Sequence, residues 1–428
     1  MSTKFQIILT GIFGLFIVLG VIVFSMYRGS QGQVYTVKVW GTIEQVQFSN
    51  IISQTSLAED KQYKVEYVKK SEETFDLDLV EAIAAGEGPD VFFLPSDKMI
   101  KNMNKVFIIP YSVFTERNFK DSFIEGGEIF MTPEGVVALP FAVDPLVMYW
   151  NRSIFNESRI TIPPKYWDQF FNIAQTVSIK DGSLNILRSA VALGEFANIS
   201  HAKAIVSTLA MQAGTPITYW NAGKAYSALS DRSEKPTIPT EAALNFYTEF
   251  SNPAKPSYSW NRSLTSSINY FLAGDLAIYF GLASEIGNIQ SKNPNLNFDV
   301  APIPLSRESA DDYVFGKFYG LAITKTSKNP NAAFAVISVL TSKEGSASFS
   351  EALNIPPVRR DLLNQRPTGA YLSVFYDSAI RARGWLDPDT KETDTIFRNM
   401  VESITSGRSR VSEAVVRASR EISNLLQK

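Results

Sequence analysis

Two carboxylates in this sequence stand where they could act on a bound molecule. Asp144 lies between two apolar segments, Ala138–Val143 and Leu146–Trp150, and is followed by Pro145. Proline cannot donate to the ladder of a central strand, so either the strand ends there or the chain crosses between two sheets with the acid in the gap. Glu285 follows another strand-like segment. Two such acids facing one cleft could form a glycosidase pair if their carboxyl groups were about 5–9.5 Å apart.

The segments ahead of Asp144 predict the elements that would position such groups. Strands are expected at Val34–Trp40, Tyr63–Lys70 and Gly88–Pro95. Helical segments separate them, which indicates parallel crossover units and an α/β fold. In such sheets ligands bind beyond the carboxyl ends of the strands, which here are residues 40–42, residues 94–96 and the region of Asp144.

Composition excludes several classes of protein and site. At 428 residues the chain exceeds what one hydrophobic core usually serves, since cores tend to split beyond about 250–300 residues, so two lobes are expected. A net charge of −2 without a dense Lys/Arg block gives no electrostatic footprint for nucleic acid. The absence of cysteine excludes disulfides, thiolate nucleophiles and lipid attachment through cysteine. The one histidine, His201, opens an Ala-rich helix, which favours a helix-start or surface role over catalysis.

The first 33 residues predict a membrane anchor and a short tether. No charged residue occurs from Phe5 to Tyr27, and at about 1.5 Å per residue this segment can span a hydrocarbon core of about 30 Å. A secretory signal is the alternative, but "VFSMYRGSQ" offers no clear small-x-small cleavage site. We therefore expect a single-pass protein of the cell membrane, with Arg28–Gln33 as the tether and an extracytoplasmic binding domain.

Beyond residue 150 the sequence becomes more helical and more polar. One long helix is expected in "NPNAAFAVISVLTSKEGSASFSEA", after Asn329-Pro330. Three proline-marked passages, "FAVDPLVMYW", "NFDVAPIPL" and "NIPPVRRDLL", indicate crossings between two α/β bodies. They predict discontinuous lobes, with residues 34–143 and 302–356 in the first and residues 144–301 and 357–428 in the second, more helical one.

Five segments, in their order along the chain, resemble family 1 extracellular solute-binding proteins, the maltose-binding-protein-like receptors of ABC importers. They are "AIAAGEGPDVFFL", "ALPFAVDPLVMYWNRSIFNES", "FLAGDLAIYFG", "DVAPIPL" and "GLAITKTSKNPNAAFAVISVLTSKEGSASFSEALNIPPVRR". The resemblance implies a two-lobed α/β fold of the type II periplasmic-binding-protein class, with Asp144 at the first hinge crossing. It also implies a non-enzymatic monomer without a cofactor, whose lobes close on a sugar and present it to ABC permease subunits. The predicted anchor departs from the lipidated or cleaved front of such receptors.

Sugars present apolar C–H faces and many hydroxyls, so their sites combine aromatic side chains with carboxylates, amides and basic groups. The predicted ligand-binding residues follow strand ends or the resemblance: Trp40, Thr42, Glu44, Ser96, Asp97, Asp144, Glu195, Phe196, Gly281, Ser284, Glu285, Phe318, Tyr319 and Trp385. Structural alternatives are core or helix packing for Trp40, Phe318 and Tyr319, interlobe surface packing for Trp385, a turn for Asp144 and helix-start roles for Glu44, Asp97 and Ser284. Trp385 resembles the late cleft tryptophan of the family.

A metal site and two other functions are the alternatives to a sugar receptor. The acids Asp387, Asp389, Glu392 and Asp394 lack the spacing and the central glycine of an EF-hand, and Asp387–Thr390 suits a helix-entry turn, so no metal is expected. A hydrolase would cleave its oligosaccharide, and a sensor or surface adhesin would keep the fold without a permease. Sugar, polyol, glycosylated peptide and polyamine all stay open as ligands, whereas acids such as Asp144 suit carboxylate-bearing ligands poorly.

Overall fold

The structure is a computed structural model, and it describes residues 34–232, 236–307 and 311–427. The predicted membrane anchor and tether, residues 1–33, lie outside these ranges. Within them, no helix combines the length and the apolar character that crossing a bilayer requires. The architecture below is therefore that of the part predicted to follow the anchor.

Most strands of the described ranges belong to one main sheet. The strands are β1 (Tyr35–Gly41), β2 (Tyr63–Lys69), β3 (Val91–Pro95), β4 (Ile109–Pro110), β5 (Met131–Thr132), β6 (Gly135–Val136), β7 (Leu139–Asn151), β8 (Ile179–Lys180), β9 (Ile186–Val191), β10 (Thr218–Asn221), β11 (Lys224–Ser227), β12 (Leu276–Leu282), β13 (Phe298–Ala301), β14 (Val314–Ile323) and β15 (Ala382–Arg383). The main sheet has the order β2-β1-β3-β14-β7-β12-β9-β8, with β13 beside β7 and β15 beside β14. Two small sheets, β10-β11 and β4-β6-β5, lie apart from it.

The first section of the main sheet confirms the predicted parallel crossover units. β1 pairs in parallel with β2 and with β3, and the three strands lie where the sequence predicts them. Val91 to Leu94 are buried along β3, as expected for a strand covered on both faces. Because Trp40 lies opposite Phe92, the carboxyl ends of β1 and β3 reach the same edge of the sheet.

β7 is one continuous strand of 13 residues, so neither apolar segment around Asp144 ends there. Its first half pairs antiparallel with β14, where Asp144 lies opposite Lys317. Its second half pairs with β12, beginning with Leu146 opposite Leu282. The strand therefore crosses from one partner to another within one main sheet, and not between two sheets as predicted. Pro145 lies at the change of partner, where the ladder is interrupted in any case.

Helices connect these strands and pack on the sheet. They are α1 (Gln45–Ser53), α2 (Phe75–Ala85), α3 (Met99–Asn102), α4 (Glu116–Ser122), α5 (Arg152–Glu157), α6 (Gln169–Val177), α7 (Ala202–Gln212), α8 (Pro239–Glu249), α9 (Ser267–Ala273), α10 (Ile286–Lys292), α11 (Pro330–Leu340), α12 (Lys343–Leu353), α13 (Arg360–Leu363), α14 (Ala370–Arg381), α15 (Thr390–Thr405) and α16 (Val411–Leu426). α11 and α12 pack against β1, β7 and α1, whereas α16 packs against α8, α15 and β11. Pro357, in the third proline-marked passage, forms an isolated β-bridge with Ala142 of β7. That passage therefore runs beside the first half of β7.

The single long helix expected after Asn329-Pro330 is two helices, α11 and α12, so that prediction is wrong. The chain breaks at Ser342, whose backbone is extended and whose Oγ accepts a hydrogen bond from the N–H of Gly345 at 3.3 Å. Serine suits this position because its side chain satisfies a free amide of the first turn. A Cβ at Gly345 would overlap the carbonyl of Leu340, so glycine permits the two helices to meet this closely.

Two adjacent glycines in the 3₁₀ helix before β5 test the packing against β14. A Cβ at Gly126 would overlap the carbonyl of Ala382 and the ring of Phe318, whereas a Cβ at Gly127 would meet Pro140 at an ordinary 3.4 Å. We expect Gly126→Ala to lower the free energy of unfolding by about 1–3 kcal/mol, the usual cost of overpacking. Urea denaturation would measure the loss.

Gly127→Ala is the matched control, since both glycines are buried in the same turn. We expect it to change the free energy of unfolding by no more than about 0.5 kcal/mol. Equal losses in the two variants would show that steric overlap at Gly126 is not the cause.

Candidate functional site

A pocket opens at the carboxyl ends of β1 and β3, beside the crossing in β7. Its volume is about 840 Å³, counted to its open mouth. Polar and apolar side chains line it together: Thr42, Ile43, Glu72, Phe75, Asp76, Phe92, Phe93, Leu94, Pro95, Lys98, Asn102, Phe141, Asp144, Ser284, Tyr319, Leu353 and Ile355. The pocket therefore lies where open α/β sheets bind their ligands.

Asp144 is the most buried carboxylate of this lining, with 1% of its surface exposed. Its Oδ1 accepts a hydrogen bond from the backbone N–H of Ser284 at 3.0 Å. Burial raises the pKa of Asp144 from 3.8 to about 6, an effect that its hydrogen bonds with Ser284 and the nearby His201 partly offset. Because Asp144 belongs to β7 and Ser284 follows β12, this bond joins the two halves of the sheet at the pocket.

Glu285 lies next to this bond, but protein groups already hold its carboxylate. It accepts hydrogen bonds from the Tyr279 hydroxyl at 3.0 Å and from the Leu282 N–H at 2.9 Å, and its Oε2 lies 3.1 Å from His201 Nε2. His201 precedes α7, which confirms its predicted helix-start position. A Cβ at Gly281 would overlap the Glu285 carboxylate and the Tyr279 ring, so glycine there makes room for this cluster.

Ion pairs hold the charged groups around the mouth of the pocket. Lys317 Nζ lies 3.4 Å from Asp97 Oδ2 and 3.8 Å from Glu72 Oε1, so one lysine serves two acids. Lys98 Nζ lies 3.2 Å from Asp76 Oδ2. Asp144 has no such partner, because no Lys, Arg or His of the described ranges lies within ion-pair distance of its carboxylate.

The structure brings several of the residues predicted from the sequence into one place. The predicted residues that line the pocket are Thr42, Asp144, Ser284 and Tyr319. Ser96, Asp97 and Glu285 are sequence neighbours of lining residues, and Ser96 Oγ accepts a hydrogen bond from the Phe318 N–H at 3.1 Å. The ends of the strands therefore predicted the position of the pocket correctly. Whether these residues contact a ligand stays a prediction.

Trp40 and Glu44 make structural contacts at the end of β1. Trp40 is buried, and Lys70 Nζ lies 4.0 Å from the centroid of its ring. Glu44 forms an ion pair with Lys69, and its backbone N–H donates to Gln47 Oε1 at the start of α1. Neither residue lines the pocket, although Glu44 directly follows a residue that does, Ile43.

Three further predicted residues lie outside the lining. Glu195 pairs with Arg262 at 3.0 Å, and the Arg398 guanidinium lies 5.8 Å from the ring centroid of Phe196. Phe318 is completely buried on β14. A role in ligand binding stays a prediction for these residues, and it would need a rearrangement that exposes them to the cleft.

Trp385 lines a different pocket from Asp144. That pocket has a volume of about 650 Å³ and includes Met211, Ile217, Tyr313, Arg383 and Trp385 in its lining. The Trp385 ring stacks on Phe397, with centroids 5.9 Å apart, and Lys203 Nζ lies 5.7 Å from it. In this conformation Trp385 packs against Phe397 and Lys203 and does not line the Asp144 pocket.

Sequence reasoning missed three charged residues of the Asp144 pocket: Glu72, Asp76 and Lys98. Glu72 and Asp76 belong to the entry into α2, in the acid-rich segment "SEETFDLD" after β2, and Lys98 closes the short 3₁₀ helix after β3. The signal was present, because the turn after β2 lies at the same edge of the sheet as the strand ends that were considered.

The acids of "LDPDTKETD" have structural partners. Asp389 accepts hydrogen bonds from two backbone N–H groups of α15, which confirms the predicted helix-entry turn. Asp387 is 2% exposed, lies 3.1 Å from Lys203 Nζ and accepts a hydrogen bond from Thr393 Oγ1 at 2.8 Å. Burial raises the pKa of Asp387 despite this cation. In the described ranges, no group of three His, Asp or Glu side chains could hold a metal ion.

The burial of Asp144 predicts a pH-dependent stability. Its pKa rises from 3.8 to about 6 on folding, so the folded state binds the proton more tightly and loses stability as the pH rises through this interval. We expect the free energy of unfolding of Asp144→Asn, measured relative to that of the wild type, to be higher at about pH 8 than at about pH 4. The increase between the two pH values should be up to about 3 kcal/mol. Urea denaturation at both pH values measures this difference.

Asp275→Asn is the control for this experiment, because Asp275 is an exposed aspartate away from the pocket. Its effect on the free energy of unfolding should be the same at both pH values. A pH-independent effect of Asp144→Asn would contradict the proposed cost of burying its charge.

The buried pair of Lys203 and Asp387 should not tolerate the loss of one partner. Their side chains are 16% and 3% exposed, so Lys203→Met leaves a buried carboxylate without a cation. We expect a loss of about 3–5 kcal/mol in the free energy of unfolding, most of which the double variant Lys203→Met/Asp387→Asn should recover. Urea denaturation compares the two, and a double variant as unstable as the single one would count against this account.

Comparison with known proteins agrees with the resemblance in the sequence. The sequence model of one family, bacterial extracellular solute-binding proteins, matches residues 47–347. A binding protein of Brucella abortus (strain 2308) is 21% identical over 365 residues, which cover 81% of this chain and 82% of that protein.

Solved structures of similar fold cover nearly the whole chain. A cyclo/maltodextrin-binding protein complexed with maltotetraose has a TM-score of 0.75 at 18% identity, covering 93% of this chain and 99% of its own. The GacH receptor of Streptomyces glaucescens, solved unliganded and with acarbose, has a TM-score of 0.67 at 15% identity, covering 93% and 100%. The cyclic alpha-maltosyl-1,6-maltose binding protein of Arthrobacter globiformis has a TM-score of 0.72 at 14% identity, covering 92% and 99%.

These structural matches confirm the predicted two-lobed α/β fold. At identities of 14–18% they support the fold alone. The match to the sequence model of the family extends over more than half of the 428 residues and includes the strand crossing at Asp144. The chain therefore belongs to the family of bacterial extracellular solute-binding proteins.

Proposed function

We propose that this protein is a membrane-anchored receptor whose two lobes close on a carbohydrate outside the cytoplasm and deliver it to an ABC-type permease. The observation that carries the proposal is the pocket at the strand crossing, where Asp144 of β7 and Ser284 after β12 meet. Similar structures from the same fold were solved with maltotetraose and with acarbose, which supports a sugar as the ligand class.

The lining of the pocket suits a sugar chemically. Phe75, Phe141 and Tyr319 supply apolar surface for C–H faces, while Thr42 and Asp144 supply groups that can hydrogen-bond to hydroxyls. A carboxylate oxygen accepts such bonds strongly, and a charged acceptor makes a bond worth more than a neutral one. The pocket therefore has both kinds of contact that orient a sugar ring.

Closure would follow from the strand crossings. A ligand that touches groups from both lobes binds the closed form better than the open form, and this difference in affinity drives the hinge motion. We propose the lobes as residues 34–143 with 302–356 and residues 144–301 with 357–428, with residues 5–27 as the anchor. A sugar in the pocket would contact both lobes, because Thr42 and Tyr319 belong to the first and Asp144 and Ser284 to the second.

We propose that the protein is not an enzyme. A glycosidase pair would need Asp144 and Glu285 both free to reach the scissile bond. Glu285 is instead engaged by Tyr279, Leu282 and His201. A carboxylate held by three protein groups is poorly placed to act as a nucleophile or a base.

Isothermal titration of the full chain in detergent with maltose, maltotriose, maltotetraose, acarbose and tagatose tests the receptor proposal. We expect at least one sugar to bind, and Asp144→Ala and Tyr319→Ala to weaken that binding by about tenfold or more. Asp275→Asn, far from the pocket, should bind as the wild type does.

Chromatography of the sugar after incubation distinguishes the classes of function. An intact oligosaccharide agrees with a receptor, and cleaved product would establish a hydrolase instead. Binding without transport in cells that lack a partner permease would favour a sensor or adhesin.

A further inference from the structure

The charges around the Asp144 pocket are unbalanced. Its lining contains three carboxylates, Glu72, Asp76 and Asp144, but only one lysine, Lys98, among the described residues. Lys98 is already used, because its Nζ lies 3.2 Å from Asp76 Oδ2. The pocket therefore offers a ligand two carboxylates that this lysine does not neutralise.

Lys317 does not restore the balance. It lies between Asp97 at 3.4 Å and Glu72 at 3.8 Å, and it is itself only 17% exposed. Its two partners carry two negative charges against its one positive charge. In addition, Asp97 Oδ1 is buried without a hydrogen-bond partner in the described ranges. Even with this lysine counted, an excess of negative charge stays at the mouth of the pocket.

The charge imbalance costs the most free energy at Asp144, because its carboxylate is the one of the lining least exposed to water. Its only backbone donor in the described ranges is the Ser284 N–H, and no cationic side chain there reaches ion-pair distance. Burying a carboxylate without a countercharge is costly, and removing that cost requires a proton or a cation. Burial accordingly raises the pKa of Asp144, which favours its protonated form when no cation is present.

A bound ligand could supply the cation instead. A hydroxyl group would give Asp144 one hydrogen bond and leave its charge uncompensated, whereas an ammonium group would give a hydrogen bond and a countercharge together. The apolar walls, which include Phe75 and Phe141, strengthen this interaction because they keep water away from it.

Building on the proposed receptor function, we propose that this pocket selects sugars that carry a protonated amine over their neutral counterparts, with Asp144 as the carboxylate that pairs with the ammonium group. Glu72, whose side chain is 71% exposed at the mouth, attracts the same charge from outside. The ligand class is therefore amino sugars, free or within an oligosaccharide.

The proposal predicts a sign for the pH dependence. An ammonium group binds ionised Asp144 and lowers its pKa, so binding releases a proton near pH 6 and tightens as the pH rises from about 5 to 7. A neutral sugar can bind either form and should show little change. The ionisable or charged groups that face Asp144 are His201, Glu285, Lys317, Tyr149 and Tyr319.

Isothermal titration of the full chain with matched sugars tests the proposal. The probes are the β-1,4-linked trimers of glucosamine, N-acetylglucosamine and glucose, which differ only at C2, and the monomers glucosamine and glucose, with maltotriose as a further neutral sugar. We expect an amino sugar to bind about tenfold more tightly than its acetylated and hydroxyl counterparts at about pH 7, and this preference to disappear at about pH 5. Titration in two buffers of different ionisation enthalpy should show proton release with the amino sugar.

Two variants separate charge recognition from folding. Asp144→Asn keeps the shape of the side chain and should abolish the preference for the amine, and Glu72→Gln, at an exposed position, should reduce it without affecting the fold. Asp275→Asn should keep the full preference, and a melting temperature for each variant confirms that it is folded.

The outcomes separate this proposal from the receptor proposal. If maltotriose or another neutral sugar binds and no amino sugar binds more tightly than its counterpart, the amine preference is overturned and the receptor proposal stands. If the preference survives in folded Asp144→Asn, the role of Asp144 is overturned. If no sugar of either kind binds, both proposals fail.

Discussion

The structure depends on one constraint, that β7 belongs to both halves of the main sheet. Its first half pairs with β14 and its second half with β12, so the strand must change partners without ending. Pro145 suits the change of partner because it has no N–H to leave unpaired. As a consequence the residue before it, Asp144, lies at the junction of the two halves and is carried into the interior.

The rest of the pocket follows from this junction. β1 and β3 end beside it, so Pro95 at the end of β3 and the turns that follow the two strands, with Thr42 and Lys98, line the same space. β12 ends on the other side, and the backbone of Ser284 donates to the Asp144 carboxylate across the boundary. A site that collects groups from both halves in this way can couple the binding of a ligand to the relative position of the halves. Family membership and the geometry of the strands thus point to the same region of the molecule.

Electrostatics distinguishes this pocket from the core beneath it. Elsewhere in the described ranges a buried acid such as Asp387 has a lysine and the hydroxyl group of Thr393 to hold it. Asp144 has a backbone amide and no cation, which lowers the stability of the folded chain whenever the carboxylate is ionised. Proteins tolerate such a cost chiefly at functional sites, where a ligand relieves it. Because the identity to the solved structures is low, these lining residues are the better guide to the ligand of this chain.

Local sequence patterns determined a large part of the fold. Apolar alternation located β1 and β2, a continuous apolar run located β3, and the acid-proline pair between two apolar segments located the crossing in β7. These features depend on near neighbours in the chain, which is why they can be read without a structure. The break between α11 and α12 escaped because Ser342 is a weak local signal until α12 packs against α1 and β7.

Tertiary structure alone decided which of the predicted residues share a pocket. Thr42, Asp144, Ser284 and Tyr319 meet there, whereas Trp385 lines another pocket. Glu72, Asp76 and Lys98 join the first group, although they were not predicted from the sequence. Strand ends and residue types are properties of short segments, so the sequence determined them. Which side chains lie together, and which of them have a countercharge, depends on how segments far apart in the chain pack. Only the folded molecule therefore determined these contacts.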